Sequence, residues 1–359
     1  MDFTLDDDRL ALRKVVADFF AEKSPLPVVR RLEDEGTGYD AATWRAMARL
    51  EWTRLGHAES IGGVGGGVLD LAMLYQEMGR SLYASPHLES VVVAGGVLVA
   101  TGGHPALLAG ILDGTSVVVP ALMEPSGTYP PEGIELAWDG ARLTGTKVLV
   151  PYVDNATRLL VASRGTEGVV LALVDPTASG LTVERSPNIA GAPLFTLRFD
   201  GVSADRVDGG WAVLAPVLDR ATVLRSAQIV GAAERLLDLS VAYAQTRSQF
   251  GKAIGSYQAV QYLCTDIAIA THLASLATLR AAALLDLGEP AVQEVSEAKA
   301  RASAAARVAA EKAHEVHAGF AFMMEADIQL FTRRLRHWEL DLGDEDHHRA
   351  RFAEALLAS

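Results

Sequence analysis

The chain has 359 residues, 50% of them hydrophobic, with one cysteine and a formal charge of −13. Such a chain can bury a sizeable core and divide into two or three domains. The acidic balance argues against nucleic acid, whose phosphates need a basic face. A lone Cys264 cannot form an internal disulfide and gives no sign of an oxidising compartment.

The N-terminus carries Asp2 and Asp6-Asp7-Asp8 and lacks the basic-then-apolar pattern of a signal peptide. Thr4, with Asp7 three residues on, reads as a helix cap, and Leu10, Val15 and Phe19 follow at helical spacing. That spacing continues past Tyr75 and ends near Asp113-Gly114. The glycine-rich Glu59-Ser60-Ile61-Gly62-Gly63-Val64-Gly65 is no phosphate loop, because no Lys-Ser/Thr follows and no strand clearly precedes it. Short β-rich runs come next: 116–119, 148–150, 159–162, 169–174 and 197–199. Asp139-Gly140, Asp175-Pro176 and Asp200-Gly201 punctuate them as turns. From Trp211 the chain is Ala- and Leu-rich with helical spacing, broken only at Gly251 to Ser256 and at Gly288-Glu289-Pro290. Cys264, on an apolar helical stretch, reads as a small buried hydrophobe. No window reaches the ~18 uninterrupted apolar residues of a spanning helix, so a soluble cytoplasmic protein is expected.

The period changes predict an α+β chain, mostly α, with a helical domain over 1–115, a small β-domain over 116–208 and a helical bundle over 209–359. His314 and His317 lie three apart on one helical face, and His347-His348 follow an acidic run. Zinc sites usually show tighter ligand sets, so no metal is expected. Glu325 and Asp327 form a possible acid pair.

Five motifs in order carry a family resemblance. They are Glu59 to Gly65 followed by Gln76-Glu77-Met78-Gly79-Arg80; Met123-Glu124-Pro125-Ser126-Gly127; Leu143-Thr144-Gly145-Thr146-Lys147; Arg247-Ser248-Gln249-Phe250-Gly251; and Glu315 to Glu325. Together they resemble the acyl-CoA dehydrogenase family. The resemblance implies that family's fold: an N-terminal helical domain, a central β-barrel-like domain and a C-terminal four-helix bundle. It also implies FAD as cofactor and α,β-dehydrogenation of an acyl-CoA thioester. In the family the Arg-x-x-Phe-Gly turn reaches the FAD of a neighbouring subunit, where a guanidinium suits a pyrophosphate. The implied cofactor contacts are therefore Arg247, Gln249, Phe250, Gly251, Ile254, Tyr257 and Gln258, with Glu315 and Gly319 from the later motif.

The chain departs from the family at the reacting centre. The two positions that carry the family's catalytic base fall on Leu342 and Ala221, with Asp341 as the nearest substitute. The flavin-contacting Trp-x-Thr falls on Leu149-Val150-Pro151, and the Thr of Thr-Glu-Pro on Met123. The expectation is a half-site subunit of a heterotetrameric dehydrogenase, resembling the degenerate subunit of bacterial enzymes of steroid side-chain breakdown. Its expected partners are a paralogous subunit, an acyl-CoA substrate reached through the complex, and an electron-transfer flavoprotein. Two alternatives stay open: a homo-oligomeric dehydrogenase using Asp341, and a flavin-free acyl-CoA-binding scaffold.

Overall fold

The computed structural model describes residues 6–358. Thr4, expected to cap the first helix, lies outside them. Helix α1 (Asp7–Lys23) is capped by Asp6, whose Oδ1 accepts the Arg9 amide at 2.9 Å, satisfying a donor that a helix start leaves open. Then follow α2 (Leu26–Glu35), α3 (Ala41–Arg49), α4 (Val68–Arg80), a π-helical stretch over His87–Ala94, α5 (Gly95–Thr101) and α6 (Pro105–Leu112). Helical structure therefore stops where the sequence places its end. Contacts divide the chain into two compact units: Met1–Arg30 with Gly67–Tyr83 and Thr222–Ser359, and Arg31–Gly66 with Ala84–Ala221.

The second of these units holds the sheet. Its strands are β1 (Val118–Ala121), β2 (Ala137–Trp138), β3 (Arg142–Pro151), β4 (Arg158–Gly165), β5 (Gly168–Val174), β6 (Leu181–Ser186), β7 (Leu194–Ser203) and β8 (Asp205–Val207). They run in the order β6-β7-β3-β2-β4-β5-β8, with β1 parallel to β4. Val119, Leu143, Leu159, Val161, Leu197 and Phe199 fill the core against it. Two expectations need correction. Strands β2, β6 and β8 were not foreseen: β2 and β8 are only two and three residues long, and most of β6 is exposed, with Leu181 and Val183 its only apolar residues. Asp200-Gly201 is not a turn between strands but lies inside β7, where Gly201 has φ +62 and the register against β3 slips. That is a bulge, and glycine supplies its positive φ.

Two motifs are architectural here. Glu124 accepts the Glu135 and Leu136 amides at 2.9 and 3.0 Å and the Lys147 Nζ at 2.6 Å. Both side chains are buried, so this pair ties the segment before β2 to β3. In the glycine cluster, a Cβ on Gly63 would sit 2.0 Å from the His57 carbonyl oxygen. Its glycine serves close backbone packing rather than a phosphate.

The other unit is helical. Helix α7 (Gly210–Thr246) enters it at Thr222 and leads through β9 (Ser248–Gln249) and β10 (Lys252–Ala253) into α8 (Gln258–Asp286), α9 (Val292–His317), α10 (Ile328–Leu340) and α11 (Glu345–Ala358). Its core is rich in small residues, among them Ala233, Ala274, Ala302, Ala306 and Ala309, around Ile229, Leu236, Ile267, Phe331 and Leu335. Asp286, at the end of α8, caps α4 by accepting the Val68 and Leu69 amides at 2.6 and 3.0 Å. The bundle also breaks at two places the sequence did not announce, Ala318 to Asp327 and Asp341 to Asp344. Ala318 and Leu342 take φ of +50 and +58, a region in which no helix of L-residues continues.

Helix α8 is long and apolar enough to cross a membrane by length and composition, with a mean hydropathy of 1.5 over its best window. The uninterrupted-run criterion misses it because Asp266, His272 and Arg280 interrupt the run. Here it packs into the bundle through Ile267, Ala274, Ala277 and Ala281 and leaves Tyr262, Ile269, Leu273 and Leu276 exposed.

The crossing of α4 and α7 explains two glycines, Gly79 of the motif that ends at Arg80 and Gly231. A Cβ on Gly231 would lie 1.8 Å from the Gln76 carbonyl oxygen, and one on Gly79 would lie 2.0 Å from that of Gln228. Charge pairs flank the crossing: Arg80 to Glu234 and Asp238 at 3.1 and 2.7 Å, and Arg13 to Glu77 at 2.9 Å. Gly231→Ala should therefore force the helices apart and cost about 3 kcal/mol, at the upper end of overpacking penalties. Thermal unfolding of the variant checks this, and an unchanged midpoint would contradict the crossing.

Candidate cofactor-contacting turns

The site is built from two turns of the helical unit. The first joins α7 to α8. Ser248 and Gln249 pair antiparallel with Ala253 and Lys252, leaving Phe250 and Gly251 as the two loop residues. Their φ values are +53 and +82, the positive pair that a tight two-residue hairpin demands. Glycine adopts that conformation freely, but phenylalanine does so only under strain. Phe250 is also 92% exposed. A large aromatic held out in solvent at a strained position marks a contact surface.

The hairpin is closed by its own chain. Ile254 N donates to the Arg247 carbonyl at 2.8 Å, and Tyr257 Oη to the Gln249 carbonyl at 3.3 Å. Lys252 Nζ sits 4.2 Å from the centre of the Tyr257 ring. Gln258 opens α8 immediately behind Tyr257. Arg247 is exposed, and among the described residues its guanidinium has no hydrogen-bond or ion-pair partner.

The second turn joins α9 to α10. Ala318 has φ +50 and ψ −137, a region that glycine tolerates and alanine does not. A Cβ on Gly319 would meet nothing within 4 Å. Beyond it Phe320, Phe322, Met323 and Met324 are 44, 77, 49 and 68% exposed. Glu315 is exposed, and Lys312 Nζ donates to it at 2.9 Å, which offsets the repulsion its carboxylate would offer to an anion. Arg30 fastens the far end by donating to the Met324 and Glu325 carbonyls and to the Asp327 carboxylate at 2.6, 3.0 and 3.0 Å. Glu325 is thus held through its carbonyl, and it is Asp327 whose carboxylate is paired.

Tyr243 brings the two turns together. Its ring stacks on His317 at 4.3 Å and lies parallel to Phe320 at 6.0 Å, while the Arg247 amide donates to the Tyr243 carbonyl at 2.8 Å. The motifs read from the sequence pass over Tyr243. Its spacing of four from Arg247 could have shown that both lie on one helical face. His317 Nδ1 donates to the Ala313 carbonyl at 2.9 Å, and His314 Nε2 lies 3.2 Å from Thr332 Oγ1. These histidines are packing groups, and among the described residues no cluster of three or more His, Cys, Asp or Glu could hold a metal ion. Cys264 is half-buried on α8, and burial raises its thiol pKa.

The two positions that the resemblance matches to the family's base carry no carboxylate. Ala221 is fully buried on α7, and Leu342 is half-buried with φ +58. Asp341 is engaged: Arg225 donates to its Oδ2 through Nε and Nη2, both at 2.8 Å. Burial alone would raise this carboxyl, but Arg225, His337 and Lys299 outweigh it and hold it below the ordinary aspartate range. A carboxylate so paired is a weak proton acceptor at neutral pH.

Lys299, which the Ala-rich pattern of α9 hid, stands behind the same turn. Fully buried, it donates to Ser303 Oγ and to the Glu339 and Gly343 carbonyls at 3.1, 2.8 and 2.6 Å. Burial lowers its pKa from 10.5 to about 7, with Asp341 opposing and Arg225 reinforcing the shift.

FAD can be tested against these residues by donor chemistry. A free guanidinium, an exposed aromatic, and two glycines with open space beside them suit the phosphates and adenine of a dinucleotide. Leu149, Pro151 and Met123 are different. Leu149 is 53% exposed at φ +55, and none of the three offers a side-chain hydrogen bond or an aromatic face to a flavin ring.

Two outcomes follow. Ala318→Gly should relieve strain and stabilise the chain by about 1 kcal/mol, after the entropy that glycine adds to the unfolded chain; denaturant unfolding reads this, and destabilisation would contradict the strain. Because native Lys299 holds its proton less tightly than the unfolded chain, it should make stability rise with pH between about 7 and 10.5. Unfolding midpoints across that range should rise less in Lys299→Met than in the parent, and equal slopes would contradict the assignment.

Comparison with known proteins matches residues 6–109 to the N-terminal domain and residues 208–357 to the C-terminal domain of acyl-CoA dehydrogenases. Acyl-CoA dehydrogenase IpdE2 of Mycolicibacterium smegmatis is 28% identical over 92% of this chain and 93% of its own length. The ChsE4-ChsE5 complex of Mycobacterium tuberculosis contains a chain 28% identical, covering all of both, with a TM-score of 0.91. A chain of the Tcur3481-Tcur3483 steroid ACAD is 26% identical over 99% of each, with a TM-score of 0.90. The fold, its motif-bearing turns and the two matched domains lead to one assignment: this chain belongs to the acyl-CoA dehydrogenase family.

Proposed function

We propose that this chain is the half-site subunit of a heteromeric, FAD-dependent acyl-CoA dehydrogenase. The observation that carries this reading is a contrast within the chain. The α7–α8 hairpin is fully built, with Arg247 free and Phe250 presented to solvent, while Ala221, Leu342, Leu149, Pro151 and Met123 offer neither a base nor flavin-ring contacts. Bound FAD would supply the hydride acceptor. This chain would supply Arg247 to the pyrophosphate and the Phe250, Tyr243 and Phe320 surface to the adenosine end of a flavin seated mainly in a paralogous subunit.

The exposed face of α8, with Tyr262, Ile269, Leu273 and Leu276, supports assembly, since apolar area left in water costs roughly 25 cal/mol per Å². The likeness to chains of the ChsE4-ChsE5 complex and of a steroid ACAD supports a bulky, steroid-type acyl-CoA as substrate of the complex. An electron-transfer flavoprotein would reoxidise the flavin, and the cytoplasm is the proposed location. The homo-oligomeric alternative is disfavoured by the Arg225 pair, which occupies Asp341.

The test is acyl-CoA-dependent reduction of a ferrocenium acceptor by the isolated chain supplied with excess FAD. Negligible turnover is expected, unaffected by Asp341→Asn, because general-base catalysis worth ~10²–10⁴-fold is missing. Robust turnover that Asp341→Asn abolishes would overturn the half-site reading. In the complex with a paralogous subunit, Arg247→Ala should weaken FAD retention by ~1.5–3 kcal/mol, the range for a bond to a charged group. Unchanged flavin occupancy on dilution would remove Arg247 from the site.

A further inference from the structure

A groove of about 570 Å³ opens within the sheet-bearing unit, between α3, the turn after α6 and the turn that leads into β4. Its size falls within the range of small-molecule sites. Its walls are fastened to one another. Trp44 Nε1 donates to the Gly114 carbonyl at 2.9 Å, Thr53 Oγ1 to the Leu112 carbonyl at 2.6 Å, and Thr157 Oγ1 to the Val117 carbonyl at 2.9 Å. Gly114, at φ +71, lets its turn close on α3, for a Cβ there would lie 2.8 Å from the Ala48 Cβ. The groove is therefore shaped before anything enters it, which removes part of the ordering cost of binding.

The charge of the groove runs against that of the chain. Arg45 and Arg49 line it from α3, four residues apart and so neighbours on one helical face. Both are exposed, and among the described residues neither guanidinium has a hydrogen-bond or ion-pair partner. Arg54 and Asp113, the other charged residues of the lining, pair with each other. Three arginines thus face one aspartate, in a chain whose formal charge is −13. Asp40 lies close enough to feel Arg45, but its carboxylate accepts the Thr43 amide and hydroxyl, both at 2.7 Å, as the cap of α3.

Beside the arginines the lining turns aromatic. Tyr39 meets Trp44 and Tyr152 edge to face, with ring centres 6.4 and 5.9 Å apart. Burial, reinforced by Asp154 and opposed by Arg45, raises the Tyr39 pKa, so its phenol keeps the proton and can donate. Ala41 and Ala48 supply apolar surface between the charged and the aromatic side chains.

We propose that this groove binds a small aromatic phosphate monoester, its phosphate held by Arg45 and Arg49 and its ring lying against Tyr39 and Ala48. A phosphate dianion matches two uncompensated guanidinium charges, and each planar fork can make paired bonds to its oxygens. A monocarboxylate would match only one of them. The site is separate from the cofactor-contacting turns and does not rest on the half-site reading.

Phenyl phosphate is the probe, with inorganic phosphate and phenol as controls, each titrated into the full chain by isothermal calorimetry. One saturable site for phenyl phosphate is expected, at least roughly tenfold tighter than either control, the low end for a bond to a charged group. Its affinity should fall as salt is added, because exposed charges are screened. Arg45→Gln and Arg49→Gln should each weaken binding by about tenfold or more and, being exposed, keep the thermal midpoint of the parent. Arg142→Gln, at an exposed arginine of β3 outside the groove, should bind as the parent does. Inorganic phosphate binding as tightly as phenyl phosphate would reduce the groove to an adventitious ion site and overturn the proposal. No saturable binding of phenyl phosphate, or binding unchanged in Arg45→Gln and Arg49→Gln, would overturn it equally. The readout needs neither flavin nor a partner chain.

Discussion

The stack of Tyr243 on His317 and Phe320 is the contact on which the site depends. It joins a residue near the end of α7 to the turn after α9, so that two segments far apart in sequence present one surface. Aromatic pairs of this kind add ~0.5–1.5 kcal/mol beyond the area they bury, and their larger effect here is positional. With Tyr243 fixed, the hairpin that follows one turn later has a defined direction, and Arg247 and Phe250 project from it into solvent. Strain at Phe250 and Ala318 is consistent with a surface shaped for something outside the chain.

Behind the turn between α10 and α11 the chain keeps a dense set of polar contacts. Arg225 holds the Asp341 carboxylate, Lys299 holds the Glu339 and Gly343 carbonyls, and His348 holds the Leu342 carbonyl. Arg225 and Lys299 are satisfied by the charge and backbone that define the turn, which is how buried polar groups avoid the cost of lost hydration, while His348 is paired through Nε2 only. The side chain displayed by all this scaffolding is a leucine. In the proposed reading the turn keeps its scaffolding while the position matched to the family's base is Leu342, so family fold and family chemistry are separate matters.

Much of the fold was legible because glycine, proline and period changes mark its joints. Gly79 stands in one of the motifs, but its reason, two helices meeting backbone to backbone at Gly79 and Gly231, depends on tertiary contact that no local pattern reveals. Strand β6 escaped because a mostly exposed edge strand offers only Leu181 and Val183 to read, and Asp200-Gly201 was mistaken for a turn because a bulge uses the same residues. At the site, Arg247 and Phe250 could be read from sequence because a hairpin is local. Lys299 and Arg225 could not: nothing local sets them apart from neighbouring charges such as Glu297 and Arg301 or Asp219 and Arg220, and only the fold brings them to Asp341. His348 looked like part of a surface acidic-histidine run, yet it is buried against Leu342 and Gly343.

The proposed function is a division of labour, in which this chain completes a flavin site that another chain houses. Native mass spectrometry of the complex purified with a paralogous subunit counts that directly. The account expects one FAD for each pair of unlike chains, and none on this chain when it is released alone. One FAD per chain, retained by this chain in isolation, would contradict it.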